Sequence, residues 1–399
     1  MLKKTPFHSR TAALMQADQW RRWAGYTAAS AYEMTHDREY MAIRNACALI
    51  DVSPLCKYQI SGADALRFLN RLVTRDVSVC PIGGMLYTPW CDSRGKVIDD
   101  GTIAHLGENR YRLTSAEPNL RWLEDNAIGM DVQIEDVSEQ IAALALQGPT
   151  SRQLLMTLTD APLADLKYYC FLDTTIADTP VMISRTGYTG DLGYELWLRA
   201  DPASVERVWD ALVEAGRSFA LQPAGIWALD VARIEAGLIM LDVDYTAANK
   251  AMIDAQTSTP LELGLGWAVS WNKGNFVGRQ ALLAERSRGS ATMLVGLEID
   301  HLEFERQHHA LGLPVPYPFL AWRAVIPLCA DGEQLGYATS GVWSPTLKKY
   351  IALGHLQPNY AALGTLVTLD LDVDRYRRPF NAKVTKLPFF NPPRKKELV

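Results

Sequence analysis

The chain has 399 residues, of which 48% are hydrophobic and 21% charged, with a net charge of -5. That length implies two or three domains, and the composition is that of a globular protein. The acidic balance argues against binding nucleic acid by phosphate neutralisation, and no run reaches the ~20 apolar residues of a membrane span.

The N-terminal segment carries Lys3 and Lys4 with no apolar stretch behind them, so no secretion signal is expected and a cytoplasmic setting is. Along the chain, Ala65, Leu66, Leu69, Leu72 and Val73 recur at helical spacing after the Ser61-Gly62 breaker. Tyr194 to Leu198 reads as a strand, Asp201-Pro202 as a turn, and Val205, Val208, Trp209 and Leu212 as the buried stripe of a helix stopped at Gly216. Asp331-Gly332 marks a hairpin turn. Val367, Leu369, Leu371 and Val373 alternate with other residues as in a half-buried strand. Strand signals concentrate in the last third, so a β-rich domain is expected there, and the irregular mixture makes the fold class α+β. The tail Pro392-Pro393-Arg394-Lys395-Lys396 is expected to fray.

Cys47, Cys56, Cys80, Cys91, Cys170 and Cys329 form no C-x-x-C pair, and the histidines offer no HExxH, so reduced thiols and no metal site are expected. No Ser/His/Asp triad is recognisable. Two polar segments remain. In Gly95-Lys96-Val97-Ile98-Asp99-Asp100-Gly101, consecutive carboxylates on a strand must face opposite sides, so one points inward. A carboxylate in a partly dry site suits acid/base work or cation stabilisation. In Arg185 to Leu196, Gly187, Gly190 and Gly193 permit sharp turns beside a ligand, and Glu195 follows on the strand. A fixed carboxylate there can accept paired hydrogen bonds from the NH-rich edge of a heterocycle. By spacing alone, both segments also read as solvated turns. Tyr87, Trp90, Trp267 and Trp271 are aromatics that could stack on a flat ring or simply pack in a core.

These segments, together with Leu49-Ile50-Asp51-Val52-Ser53, Leu146-Gln147-Gly148-Pro149, Arg233-Ile234-Glu235-Ala236-Gly237 and Phe276-Val277-Gly278-Arg279, stand in a recognisable order. The chain resembles the glycine-cleavage T-protein superfamily of folate-dependent aminomethyl- and methyltransferases, from about Thr5 to Pro388. The resemblance implies three domains in a ring around a tetrahydrofolate funnel. Domain 1 would comprise residues 1–53 and 143–255, an inserted domain 2 residues 54–142, and a β-barrel-like domain 3 residues 256–399. It implies a catalytic role for Asp100 beside the reactive folate nitrogens, and it gives Glu195 the pteridine edge. Tyr87, Tyr188 and Asp100 would line the cofactor pocket.

Departures from the T-protein pattern stand beside these matches. The arginine of the family's Gly-Ala-Arg-Asp motif corresponds to Leu229, and residues 300–323 look longer and rich in His, Phe, Tyr and Pro. These changes resemble the superfamily's demethylase branch, with Trp90, Trp227 and Leu229 as candidate walls of a substrate pocket. The expectation is therefore a demethylase moving a methyl group from a methoxy, sulfonium or N-methyl donor to tetrahydrofolate. The alternatives are a glycine-cleavage aminomethyltransferase served by a lipoyl carrier protein, and a folate-binding assembly protein without catalysis.

Overall fold

The computed structural model describes residues 2–316 and 319–397. The fold is mixed α+β, and three larger sheets organise it beside a small one made of the strands Lys3–Lys4, Tyr26–Ala29 and Trp20–Trp23. The largest open sheet has six strands, with Ile141–Gln147 at its centre between Gly193–Arg199 and Ala48–Asp51. Leu144, Leu146, Tyr194, Leu196 and Leu198 face one side, where the helix Pro202–Gly216 packs Val205, Val208, Trp209 and Leu212 against them. Asp201 caps that helix through Ser204 N at 3.0 Å, and Pro202 opens its first turn. The other face carries Ala143, Ala145 and Trp197 and is covered by the helices Asp37–Asn45 and Ile226–Glu235.

Residues 56–136 leave this sheet and form their own, with five strands in the order Met85–Cys91, Val97–Gly107, Arg110–Ser115, Cys56–Ser61, Gln133–Asp136. The helix Ala65–Leu72 closes its core with Phe68, Leu69 and Leu72. The chain re-enters the first sheet at Ile141. Six strands between Met293 and Thr385 close into a barrel, which includes the expected 367–373 strand and the hairpin at Asp331-Gly332. We propose that these three sheets mark three domains, the second inserted in the first. Residues 301–309 of the 300–323 stretch form a helix, while Tyr317 and Pro318 lie outside the described residues.

The tail does not behave as a frayed end. Arg394 makes a bidentate pair with buried Asp191, at 2.6 and 2.8 Å, and Arg185 donates to the Glu397 carbonyl at 2.6 Å. Composition marked the segment as polar, but buried Asp191 and Arg185 take partners from the tail in addition to Arg44 and the Leu166 carbonyl. No described helix is long and apolar enough to cross a membrane. All six cysteines are free, and Cys47, Cys56, Cys80 and Cys91 are buried.

Candidate functional site

The strand Val97–Gly107 settles which aspartate faces which way. Pro89 pairs with Asp100 and Trp90 with Asp99, so period-two alternation puts Trp90 and Asp99 on one face and Tyr87, Pro89 and Asp100 on the other. Asp99 is buried and accepts hydrogen bonds from Asn119 Nδ2 at 2.7 Å and from the Glu117 and Asp100 amides. Asp100 is only half-buried, and Tyr245 and Tyr87 both donate to it through their hydroxyls. Burial pushes the Asp100 carboxyl above the ordinary aspartate range, and the two phenols partly offset this. Tyr87 stacks on Trp267, with ring centroids 5.8 Å apart, and Trp267 is 63% exposed.

The glycine-rich segment is stitched by Gln147. Its Nε2 donates to the Thr186 and Tyr194 carbonyls at 3.2 Å, and its Oε1 accepts from Thr189 Oγ1 at 2.8 Å. A Cβ at Gly193 would lie 2.2 Å from that Oε1, which explains why glycine stands there. Gly193→Ala is expected to lower stability by roughly 1–3 kcal/mol through this overpacking, read as the midpoint shift in urea unfolding. Gly190 has φ +73 and would place its Cβ 2.4 Å from Ala236 Cβ, so it needs glycine on both grounds.

This framework positions Glu195. Its Oε2 accepts from Thr186 Oγ1 at 2.6 Å, and Ser184 Oγ supports Thr186 at 2.7 Å. The other oxygen has no protein partner among the described residues. Burial raises the Glu195 pKa, opposed by Thr186 and by the nearby Arg112 guanidinium. Arg112 lies over the Trp197 ring at 4.5 Å, and burial draws its pKa down to about 10. Tyr188 donates to the Ile239 carbonyl and is within electrostatic reach of Asp100. The structure therefore gathers Asp100, Tyr87 and Tyr188 together, while Glu195 is held half-buried on the facing sheet.

Profiles of two domain families match this chain: the GCVT N-terminal domain over residues 5–273 and the glycine cleavage T-protein C-terminal barrel domain over residues 316–391. The chain belongs to the glycine-cleavage T-protein family. It is 36% identical to the aminomethyltransferase of Halothermothrix orenii, over 97% of this chain and 100% of that protein. It is also 36% identical to the aminomethyltransferase of Bacillus subtilis, over 88% and 90% of the two chains. The glycine cleavage system aminomethyltransferase T of Bartonella henselae superposes with a TM-score of 0.82 at 24% identity, covering 98% of this chain and 99% of that one, and so shares the fold.

Two candidate pocket walls of this T-protein family member need correction. Trp90 is fully buried in the core of the second sheet, with Nε1 3.4 Å from Asn119 Oδ1, so it packs behind Asp99 and lines no open pocket. Leu229 is 6% exposed and packs in the core between the first sheet and the barrel. Trp227 is half-buried beside His36, with ring centroids 5.9 Å apart. The sequence reading missed Tyr245, Arg112, Thr186 and Asn119. Thr186 stands within the Arg185–Leu196 segment without a role being assigned to it, and no motif marks the others, because Tyr245 and Asn119 reach their partners across 145 and 20 positions.

Proposed function

We propose that this protein is a tetrahydrofolate-dependent one-carbon transferase working as an aminomethyltransferase. The observation that carries the reading is Asp100, a half-buried carboxylate aimed away from its own core and held by two tyrosine hydroxyls. Burial raises its pKa, which suits a carboxylate that holds a proton or stabilises charge in a partly dry site. Relatives named aminomethyltransferase, matched over nearly the whole chain, support the same reading.

The residues present fit a pteridine. Glu195 offers one carboxylate oxygen while Thr186 fixes the other, which suits adjacent NH donors on a flat ring. Tyr188 and Tyr87 supply aromatic walls. Tetrahydrofolate supplies a nucleophilic ring amine when bound. Asp100, when ionised, would stabilise positive charge developing within hydrogen-bond reach, or accept a proton at its carboxylate. Tyr245 and Tyr87 would keep that carboxylate oriented and charged against the cost of burial. Positioning of the reacting groups would contribute a further share, up to roughly 7–11 kcal/mol in ideal cases.

An aminomethyl donor would arrive on a lipoyl carrier protein, in a cytoplasmic setting. Methyl transfer, as in a demethylase, is a second reading. It rests on Leu229, where the family pattern has an arginine, and on the length of the 300–323 stretch. Anaerobic calorimetric titration with tetrahydrofolate tests the shared part, and a folded protein that takes up no folate would sink both readings. Product analysis separates them: 5,10-methylene-tetrahydrofolate marks aminomethyl transfer and 5-methyl-tetrahydrofolate marks demethylation. Glu195→Ala is expected to weaken tetrahydrofolate binding by about 1.5–3 kcal/mol, the value of a hydrogen bond to a charged group. An unchanged dissociation constant would move the pteridine away from Glu195.

A further inference from the structure

We infer that Trp267 is a positioning residue for the proposed reaction: its indole ring fixes Tyr87, and through Tyr87 the orientation of the Asp100 carboxylate. That role rests on the reading of Asp100 given above and extends it to a residue that touches neither Asp100 nor its strand. The turn Gly266–Ala268 sends neighbouring side chains to opposite sides. Ala268 is fully buried in a small cluster with Tyr245, Leu265 and Ile239, against which Tyr87 packs. Both tyrosines that hold Asp100 therefore lean on this segment. Trp267 faces outward at 63% exposure, yet its ring lies nearly parallel to that of Tyr87, with 24° between the planes and 5.8 Å between the centroids. The Arg75 guanidinium lies 5.5 Å from the same indole ring.

The backbone that carries Trp267 is held from the neighbouring segment. Thr74 Oγ1 donates to the Ala268 carbonyl at 2.7 Å, the Ser270 amide to the Thr74 carbonyl at 3.0 Å, and the Asp76 amide to Ser270 Oγ at 3.0 Å. These bonds, rather than burial of the indole itself, set where the ring stands. Tyr87 is the less constrained partner. It is half-buried, and it pairs with Thr102 while Pro89 pairs with Asp100, so its hydroxyl reaches Asp100 diagonally across two strands. A half-buried tyrosine can leave such a bond by turning about its side-chain torsions. An offset aromatic stack narrows that freedom, because it favours one plane for the ring. Removing the indole removes the restraint at little cost in apolar burial, since Trp267 is already mostly in water.

The test compares Trp267→Ala, Trp267→Phe, Tyr87→Phe and the double variant Trp267→Ala with Tyr87→Phe, all in the full chain. Turnover is measured on the donor that the product analysis identifies. In Trp267→Ala it is expected to fall about 10-fold, the equivalent of one hydrogen bond lost from a charged group, and by a larger factor than folate binding weakens. Burial raises the Asp100 pKa and the Tyr245 and Tyr87 hydroxyls oppose it, so a loosened Tyr87 moves it further up. Carboxylate NMR of protein carrying isotope-labelled aspartate, with Asp100→Asn assigning the resonance, reads that rise without any activity. Asp99, Tyr245, Tyr188 and Tyr169 also lie within electrostatic reach of Asp100 and are the same in every variant, so the comparison isolates Tyr87. Trp267→Phe keeps a stacking ring and should restore both readouts, and Trp267→Ala should add nothing to Tyr87→Phe. The role is refuted if Asp100 in Trp267→Ala titrates at or below its wild-type position, or if the effects of Trp267→Ala and Tyr87→Phe simply add. It is equally refuted if Trp267→Ala turns over as the wild type does in a protein that needs Asp100. A raised titration in a protein whose rate Asp100→Asn leaves unchanged would instead keep the link from Trp267 to Asp100 and overturn the reading of Asp100 itself.

Discussion

Asp100→Asn is expected to reduce turnover by about 100-fold or more while leaving the tetrahydrofolate dissociation constant nearly unchanged. The amide is isosteric and still accepts through one oxygen, so Tyr245 or Tyr87 can keep a hydrogen bond to it. What disappears is the negative charge, and with it the ability to stabilise a cation or hold a proton at the reacting centre. Single-turnover kinetics with saturating folate measure this directly. Unchanged turnover would remove Asp100 from the chemistry.

Stability and pH give the same substitution a second signature. Burial lifts the Asp100 pKa above its unfolded value. An ionised carboxylate with a raised pKa opposes folding at pH values above that pKa, and the penalty fades as pH falls through it. Asp100→Asn should therefore match or exceed the wild type in thermal midpoint near neutral pH, despite its lost activity. The acid limb of the wild-type rate profile should lie above the ordinary aspartate range and vanish in the variant. A residue held for structure would show the opposite pairing, with lower stability and little change in rate.

The strand pairing also explains what could be read in advance. Period-two alternation required one aspartate of Asp99-Asp100 to face inward, and the same parity along Met85–Cys91 separates Tyr87 from Trp90. Once Tyr87 is placed beside Asp100, Trp90 must face the core, so its exclusion from the pocket was implicit in the sequence. Glu195 could be placed on its strand from the sequence, and Gly187 and Gly193 before it leave room for the Gln147 side chain, but a pteridine role for it follows only from the family resemblance. Tyr245 was not legible, because nothing local distinguishes it from a packing tyrosine until residues 145 positions apart meet. The arginines were opaque for a related reason. Whether Arg112, Arg323 or Arg394 is solvated or sequestered depends on which carboxylate or ring the fold brings to it. The Leu229 departure was visible as a lost charge, but its buried packing was not.

Arg233→Met is expected to destabilise the protein by about 3–5 kcal/mol, the cost of removing one partner from a buried ion cluster. Arg233 is fully buried, as are the carboxylates of Asp230 and Asp244 that it joins. Asp244 also accepts from Thr339 Oγ1 at 2.5 Å and Ser340 Oγ at 2.7 Å on the barrel, and from the Met240 amide at 2.9 Å. The cluster therefore ties the helix Ile226–Glu235 to the barrel, and Asp244 precedes the tyrosine that holds Asp100. Loss of Arg233 should loosen Tyr245 and lower the rate per folded molecule as well. The pH dependence follows from Asp230. Burial pushes its pKa up, but Arg233 and Arg323 more than offset this, so in the wild type it titrates below the usual value. Its contribution to stability is present above the ordinary aspartate range and is lost as pH falls through the depressed pKa. Without Arg233, only Arg323 is left to oppose burial, so that pKa rises and the stabilising contribution shrinks. The variant should then be most destabilised near neutral pH, with the gap to wild type narrowing on acidification. Urea unfolding across pH 4–7 checks this, and adding Asp230→Asn should recover part of the loss at neutral pH. A pH-independent gap that the second substitution leaves untouched would mean that Arg233 acts through packing alone.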